Sequence, residues 1–220
     1  LWENVEGVLG DKTNAFGCFV SGLAGCKDVL PIRRWPSAGL VRGPKRNVAW
    51  RVLDAKFFGV PQQRKRLYVV AGGKDFSPEN VLFERHHGSL GKFSAVPLAF
   101  VKGGKRFEVF REYTDCLYSA YGTKWNGNAA AYNGSLFVAE EGRLRRLTPI
   151  ETERLMGFPD GYTDVSFARP TNRYQGTGNS WAVPVVRWIG ERLFKERDLE
   201  DVGMSKDDFL EGVSRPVNPA

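Results

Sequence analysis

The run Gln62-Gln63-Arg64-Lys65-Arg66 sets two amides and three cations in succession. Alternate residues of an extended strand point the same way, so the spacing sets Arg64 and Arg66 on one side. Two guanidinium groups there can clamp a base carbonyl and a backbone phosphate through forked donors. By themselves, three cations in a row are more often a solvated face. Glu3, in Trp2-Glu3-Asn4-Val5, is a carboxylate at the exit of a strand, which on its own reads as a solvated charge. Asn179 and Ser180, in Gly178-Asn179-Ser180, are expected to open the last helix, where backbone N–H groups and the helix dipole favour a carboxylate. A capping turn without a ligand accounts for the same residues.

Other chemistries find little support. Cys18, Cys26 and Cys116 are odd in number, form no CxxC, and suit neither a zinc site nor a disulfide framework. They read as buried or incidental thiols of a reduced protein. His86 and His87 are adjacent, and adjacent side chains do not converge on one metal, so no metal site is expected.

Several elements must position these groups. Phe16, Phe19, Val20 and Leu23 recur at helical spacing, with Gly22 and Gly25 marking the end of that helix. Residues 31–46, rich in proline, glycine and arginine, read as a basic connecting loop. Asn47–Ala55 and Leu67–Ala71 read as strands, the second short and apolar enough to be buried on both faces. Arg64–Arg66 then lie at the rim of a sheet, where α/β domains bind ligands. Thr148-Pro149-Ile150-Glu151 spells a capping box with proline at the first helical position, and Gly157 supplies the C-cap. Ala182, Val186, Ile189 and Leu193 form the stripe of a final helix with Pro184 in its first turn. Between about Gly72 and Gly142, glycines are frequent and aromatics scattered. Tyr118–Asn128 mixes aromatics, amides and Lys124, a composition that suits a DNA-facing surface but on its own reads more readily as a β-rich insertion with a small aromatic core. Beyond Asp198 charges dominate, and the end reads as a mobile tail.

The chain has 220 residues, a net charge of +7 and a sequence pI of about 9.4. A basic balance favours a polyanionic partner or a solvated basic surface. No apolar run reaches the roughly 20 residues of a membrane helix, and no secretory leader is recognised.

The order and spacing of Trp2-Glu3-Asn4-Val5, Phe58–Arg66, Arg145–Gly157 with Phe158-Pro159, and Gly178-Asn179-Ser180 resemble the later motifs of the DNA cytosine-5 methyltransferases. No Pro-Cys-Gln nucleophile loop and no Gly-rich cofactor turn occurs in these 220 residues. The resemblance implies an α/β, S-adenosylmethionine-dependent methyltransferase (Rossmann-like) fold, its C-terminal part, with a loop- and strand-rich target-recognition domain. It divides the chain into 1–72 (catalytic α/β part), 73–175 (target recognition and a bracing helix), 176–197 (a final helix packing back) and 198–220 (the tail). The implied activity is methyl transfer from S-adenosyl-L-methionine to C5 of a cytosine flipped out of duplex DNA, the DNA methylation of restriction-modification systems.

The roles implied by the resemblance fall on particular residues. Glu3 reaches N3 and the exocyclic amine of the flipped base, where thiolate addition at C6 pushes charge into the ring. Asn4 orients that turn. Arg66 holds the cytosine O2, and Arg64 contacts backbone or braces the nucleophile loop. Gln62, Lys124 and Asn126 face DNA. Asn179, Ser180 and Trp181 touch the cofactor. Arg145, offering its donors to loop carbonyls, and Glu151, capping a helix, are structural. The nucleophilic cysteine is then expected from sequence missing from this chain. That N-terminal half is the same polypeptide or a separate subunit, and the abrupt strand at Leu1 favours the former. Duplex DNA and that half are the expected partners, with no membrane and no metal, in a bacterial or phage-encoded cytoplasmic protein. The alternatives are a non-catalytic DNA-binding remnant, a subunit of a split enzyme, and a tRNA-directed relative.

Overall fold

A computed structural model describes residues 1–83, 99–102, 105–108, 113–122, 136–140 and 143–196. Lys124, Asn126, His86, His87 and the predicted tail lie outside the described residues. The described residues form two compact units. One draws on Leu1–Asp54 and on 65–83 and 187–196; the other on Ala55–Arg64 and on the described residues from 99 to 186.

The first unit is a four-stranded sheet with helices. Its strands are β1 (Trp2–Val5), β2 (Ala38–Arg42), β3 (Asn47–Asp54) and β4 (Lys65–Gly72), in the order β1-β4-β3-β2. All three pairings are antiparallel. Strand alternation sorts the side chains. Val48, Trp50, Leu67 and Val69 turn to one face and pack against Phe16 and Val20 of α1 (Ala15–Ala24). Phe16, Trp35 and Trp50 meet edge to face, with ring centroids 5.1–5.7 Å apart, an arrangement favoured by the aromatic quadrupole. The predicted end of α1 is found at Gly25, whose φ of 76° closes the helix in the left-handed region.

Residues 31–46 are not only a loop, because they contain β2. Backbone pairing to β3 supplies what their weak strand propensity does not. Gly39 lies opposite Trp50 in the register, and a Cβ there would stand 2.2 Å from the indole ring. The glycine that reads as a strand breaker is what admits Trp50 to the core.

The second unit holds two hairpins, β5–β6 (Ala99–Lys102, Lys105–Glu108) and β7–β8 (Phe137–Glu140, Arg143–Arg146), and the helices α3 (Pro149–Met156) and α4 (Pro170–Asn179). In the first unit, α2 (Pro78–Leu82) follows β4. The last helix, α5 (Val183–Glu196), begins in the second unit and ends in the first. Leu117, Tyr121, Leu136, Leu147, Leu155 and Met156 form the second core. Tyr121 anchors it by donating to Leu136 O (2.6 Å) and accepting from Leu147 N–H (2.9 Å). Burial pushes its hydroxyl up to about 12, so it stays protonated and keeps both bonds.

The sequence has Gly178-Asn179-Ser180 opening the last helix, whereas these residues close α4, which runs through Gly176 and Gly178 to Asn179. Tertiary contact overrides the low helix propensity of glycine here. A Cβ on Gly178 would lie 2.5 Å from Ser119 N, so close backbone approach requires glycine.

Candidate functional site

Glu3 and Arg66 are 63 positions apart in the chain (66 − 3), and the β1–β4 pairing joins them. Glu3 lies opposite Tyr68 and Val5 opposite Arg66, so the two charged residues are diagonal neighbours on one face. Arg66 Nε approaches Glu3 Oε1 to 3.1 Å, with side chains only 17% and 14% exposed. That face is the one turned away from the aromatic core, because Leu67 and Val69 point the other way. Arg66 also donates to Lys65 O (2.8 Å), and Asn4 Oδ1 accepts from Val5 N–H (2.8 Å), fixing the exit of β1. The result is a shielded carboxylate–guanidinium pair at a strand end, able to offer an acid–base group and a fork of donors side by side.

Arg64 does not share this arrangement. It precedes the first residue of β4, so strand alternation does not extend to it. Its guanidinium is buried and donates to Leu117 O (3.0 Å), Gly178 O (3.1 Å) and Ser180 O (2.7 Å), with Cys116 Sγ at 3.1 Å. It ties three stretches of the second unit together. Gln62 is expected at a DNA surface; it is instead 0% exposed. Its amide donates to Leu155 O (2.9 Å) and Met156 Sδ and accepts from Leu117 N–H (2.9 Å), which commits it to the interior. A local sequence reading cannot distinguish a buried amide whose partners lie 55 and 93 residues away from an exposed one.

Asn179 and Ser180 sit between two helices rather than at the start of one. Asn179 ends α4, Ser180 is its C-cap, and α5 begins at Val183. Together with Phe158, Trp181, Val183 and Val186 they line a depression whose walls are partly apolar and partly polar. Trp181 is 42% exposed there. Those walls fit a ligand with an apolar or aromatic body, and the Asn179 amide and Ser180 hydroxyl fit its polar end. The N-terminus of α5 offers less to a carboxylate than the sequence implies. Pro184 has no N–H, and the N–H groups of Val185 and Val186 both turn to Ala182 O.

Arg145 and Glu151 do structural work. Arg145 grips the Glu151 carboxylate with two nitrogens (2.8 and 3.0 Å) and gives one bond to a carbonyl, Arg146 O (3.1 Å). Thr148 and Glu151 close the capping box on α3 reciprocally. The Arg145 bonds, opposed by burial and helped by Thr148, hold the Glu151 carboxyl down at about 2 against an ordinary 4.5. A depressed folded pKa gives stability that is complete above the unfolded value and disappears as pH falls through the folded one. Urea midpoints of wild type and Glu151→Gln should therefore differ most above pH 4.5 and converge towards pH 2. A gap that does not change with pH across that window would contradict this account.

The largest omission from the sequence reading is Glu153. It is wholly buried and accepts from Gly161 N–H (2.7 Å), Thr163 N–H (2.9 Å), the Thr163 hydroxyl and Arg173 Nη2 (2.9 Å). Burial pushes its carboxyl up, but the bonds from Thr163, Arg173 and Gly161 outweigh that and hold it below the ordinary range. Between Glu151 and Arg154 it reads as one more solvated charge, and nothing local marks it.

Among the described residues no cluster of His, Cys, Asp and Glu suits a metal, and no helix is long and apolar enough to cross a membrane. The three cysteines are free, Cys18 exposed and the others half-buried.

The family model for C-5 cytosine-specific DNA methylase matches residues 46–95 and 111–195. The chain is 28% identical over 342 residues to a protein named DNA N-6-adenine-methyltransferase of Escherichia phage P1, covering 89% of this chain and 45% of that protein. It is 27% identical over 232 residues to the Type II methyltransferase M.SsoII of Shigella sonnei, covering 90% of this chain and 53% of the relative. The chain thus spans about half the length of the curated relatives it matches. The crystal structure of the S. pombe Dnmt2 methyltransferase superposes with a TM-score of 0.54 at 18% identity, over 92% of this chain and 65% of that one, and identifies the α/β methyltransferase fold. With the family model matched over more than half its length, the chain belongs to the C-5 cytosine-specific DNA methylases.

Proposed function

We propose that this chain is the base-holding and recognition portion of an S-adenosylmethionine-dependent enzyme that methylates C5 of a cytosine flipped out of duplex DNA. The observation that carries the reading is the shielded Glu3–Arg66 pair, 3.1 Å apart at the exit of β1. A cytosine offered to that strand end meets a carboxyl group for N3 and the exocyclic amine, and guanidinium donors for O2. When a thiolate adds to C6, negative charge moves into the ring, and Glu3 acts as the acid that hydrogen-bonds or protonates N3. The thiolate comes from sequence outside this chain, on the same polypeptide or on a partner subunit. Arg64 is a positioning residue, because its bonds to Gly178 O and Ser180 O bracket Asn179.

S-adenosyl-L-methionine, when bound, supplies an electrophilic methyl group. Trp181, Phe158 and Val186 would receive its apolar parts, and Asn179 and Ser180 its polar end. The region 73–175 holds the duplex, with Lys124 and Asn126 among its contacts. The names of several relatives place them in Type II systems, which supports a role in restriction-modification.

The test is nucleoside mass spectrometry of methylation-free genomic DNA after incubation with the full polypeptide and S-adenosyl-L-methionine, with tRNA as competitor. Accumulation of 5-methylcytosine in DNA is expected. N6-methyladenine in its place would overturn the choice of base, and methylation of tRNA alone the choice of polymer. DNA binding without any methyl transfer would leave a non-catalytic DNA-binding protein.

A further inference from the structure

Phe167 combines two unfavourable features. Its side chain is 100% exposed, and its backbone φ is 67°, in the left-handed region that a residue with a bulky side chain rarely adopts. It is the third residue of a tight turn, Val165–Ala168, closed by Ala168 N–H on Val165 O at 2.9 Å. A turn with positive φ at that position ordinarily takes glycine or asparagine there. Val165, in the same turn, is also exposed, so the tip presents two apolar side chains to water.

The turn rests on a firm base. The Glu153 carboxylate accepts from Gly161, Thr163 and Arg173, which fixes the chain on both sides of the tip. Beside it lies a cleft whose lining includes Tyr162, Thr163, Ser166, Asn172 and Arg173. An apolar residue held strained in water, on a rigid mount, destabilises the isolated chain, and strain of this kind clusters where a ligand is gripped.

The surrounding charges indicate which ligand. Asp160 is paired with Arg154, and Glu153 and Asp164 with Arg173. Arg169, two residues beyond Phe167, is exposed and has no ion-pair partner among the described residues. An apolar ring beside one uncompensated cation complements a stack of bases edged by phosphate. We infer that the Val165–Ala168 turn is a duplex-DNA contact, in which the Phe167 ring packs against bases and Arg169 takes the neighbouring phosphate. The inference rests on the DNA-methylase reading above.

Binding of a fluorescent duplex by the full polypeptide, measured as anisotropy over a salt series, tests it with wild type, Phe167→Gly, Phe167→Asn and Arg169→Ala. Both Phe167 variants suit the turn's backbone, so they should melt at or above the wild-type temperature. They should bind DNA about 10-fold more weakly with an unchanged salt slope, because a ring releases no counterions. Arg169→Ala should reduce that slope by about 1. Wild-type affinity in Phe167→Gly overturns the contact while leaving the methylase reading intact. Failure of the wild type to bind any duplex overturns both.

Discussion

Glu153→Ala should destabilise the second unit by about 3–5 kcal/mol, the cost of removing one partner from a buried ion pair. The carboxylate is wholly buried, and its removal strips acceptors from Gly161 N–H, Thr163 N–H and hydroxyl, and Arg173 in one step. Arg173 keeps its 3.0 Å bond to the Thr163 hydroxyl and its 3.3 Å approach to Asp164, whose side chain is largely in water. The loop between α3 and α4 then loses the carboxylate that held Gly161 and Thr163 from inside. Denaturant unfolding measures the effect, with Glu151→Ala as a comparison that loses a more exposed cap and should cost about 1 kcal/mol. Equal losses for the two variants would show that the buried network contributes no more than the cap.

Glu3→Gln should lower methyl transfer by roughly 10²-fold, the scale of one positioned acid–base group, with little change in DNA affinity. The amide keeps the size of the side chain and a carbonyl for Arg66, so the β1–β4 register has no reason to slip. What it loses is the proton needed at N3 when charge enters the ring. Single-turnover rates and duplex affinity, measured side by side on the full polypeptide, separate the two. Unchanged turnover would remove Glu3 from the chemistry, and an equal loss of both would make it a binding residue.

The sequence carried local information well and long-range information poorly. The capping box at Thr148–Glu151, the glycine stop of α1 and the apolar stripes of α1 and α5 are all written within a few residues, and the structure has them. The family motifs brought Glu3 and Arg66 to notice together, although only strand pairing explains how they meet. Gln62, Arg64 and Glu153 were harder. Each is polar, each is buried, and each is satisfied by groups at least 8 residues away and as far as 116. Polarity in sequence signals exposure, and only the fold reveals a satisfied interior group. The helix through Gly176 and Gly178 was hidden for a similar reason, since close packing on Ser119 is invisible to propensity.

The cluster of Phe16, Trp35 and Trp50 gives the protein a built-in optical reporter. Trp35 and Trp50 are buried and in edge-to-face contact, so their emission is blue-shifted and their near-ultraviolet dichroism strong only while the first unit is intact. Trp181 already faces water and changes little on unfolding. Among the described residues, tryptophan fluorescence therefore follows the first unit in preference to the second. A substitution such as Glu153→Ala can melt its own surroundings with little change in that signal, and a backbone probe such as far-ultraviolet dichroism is needed to see it.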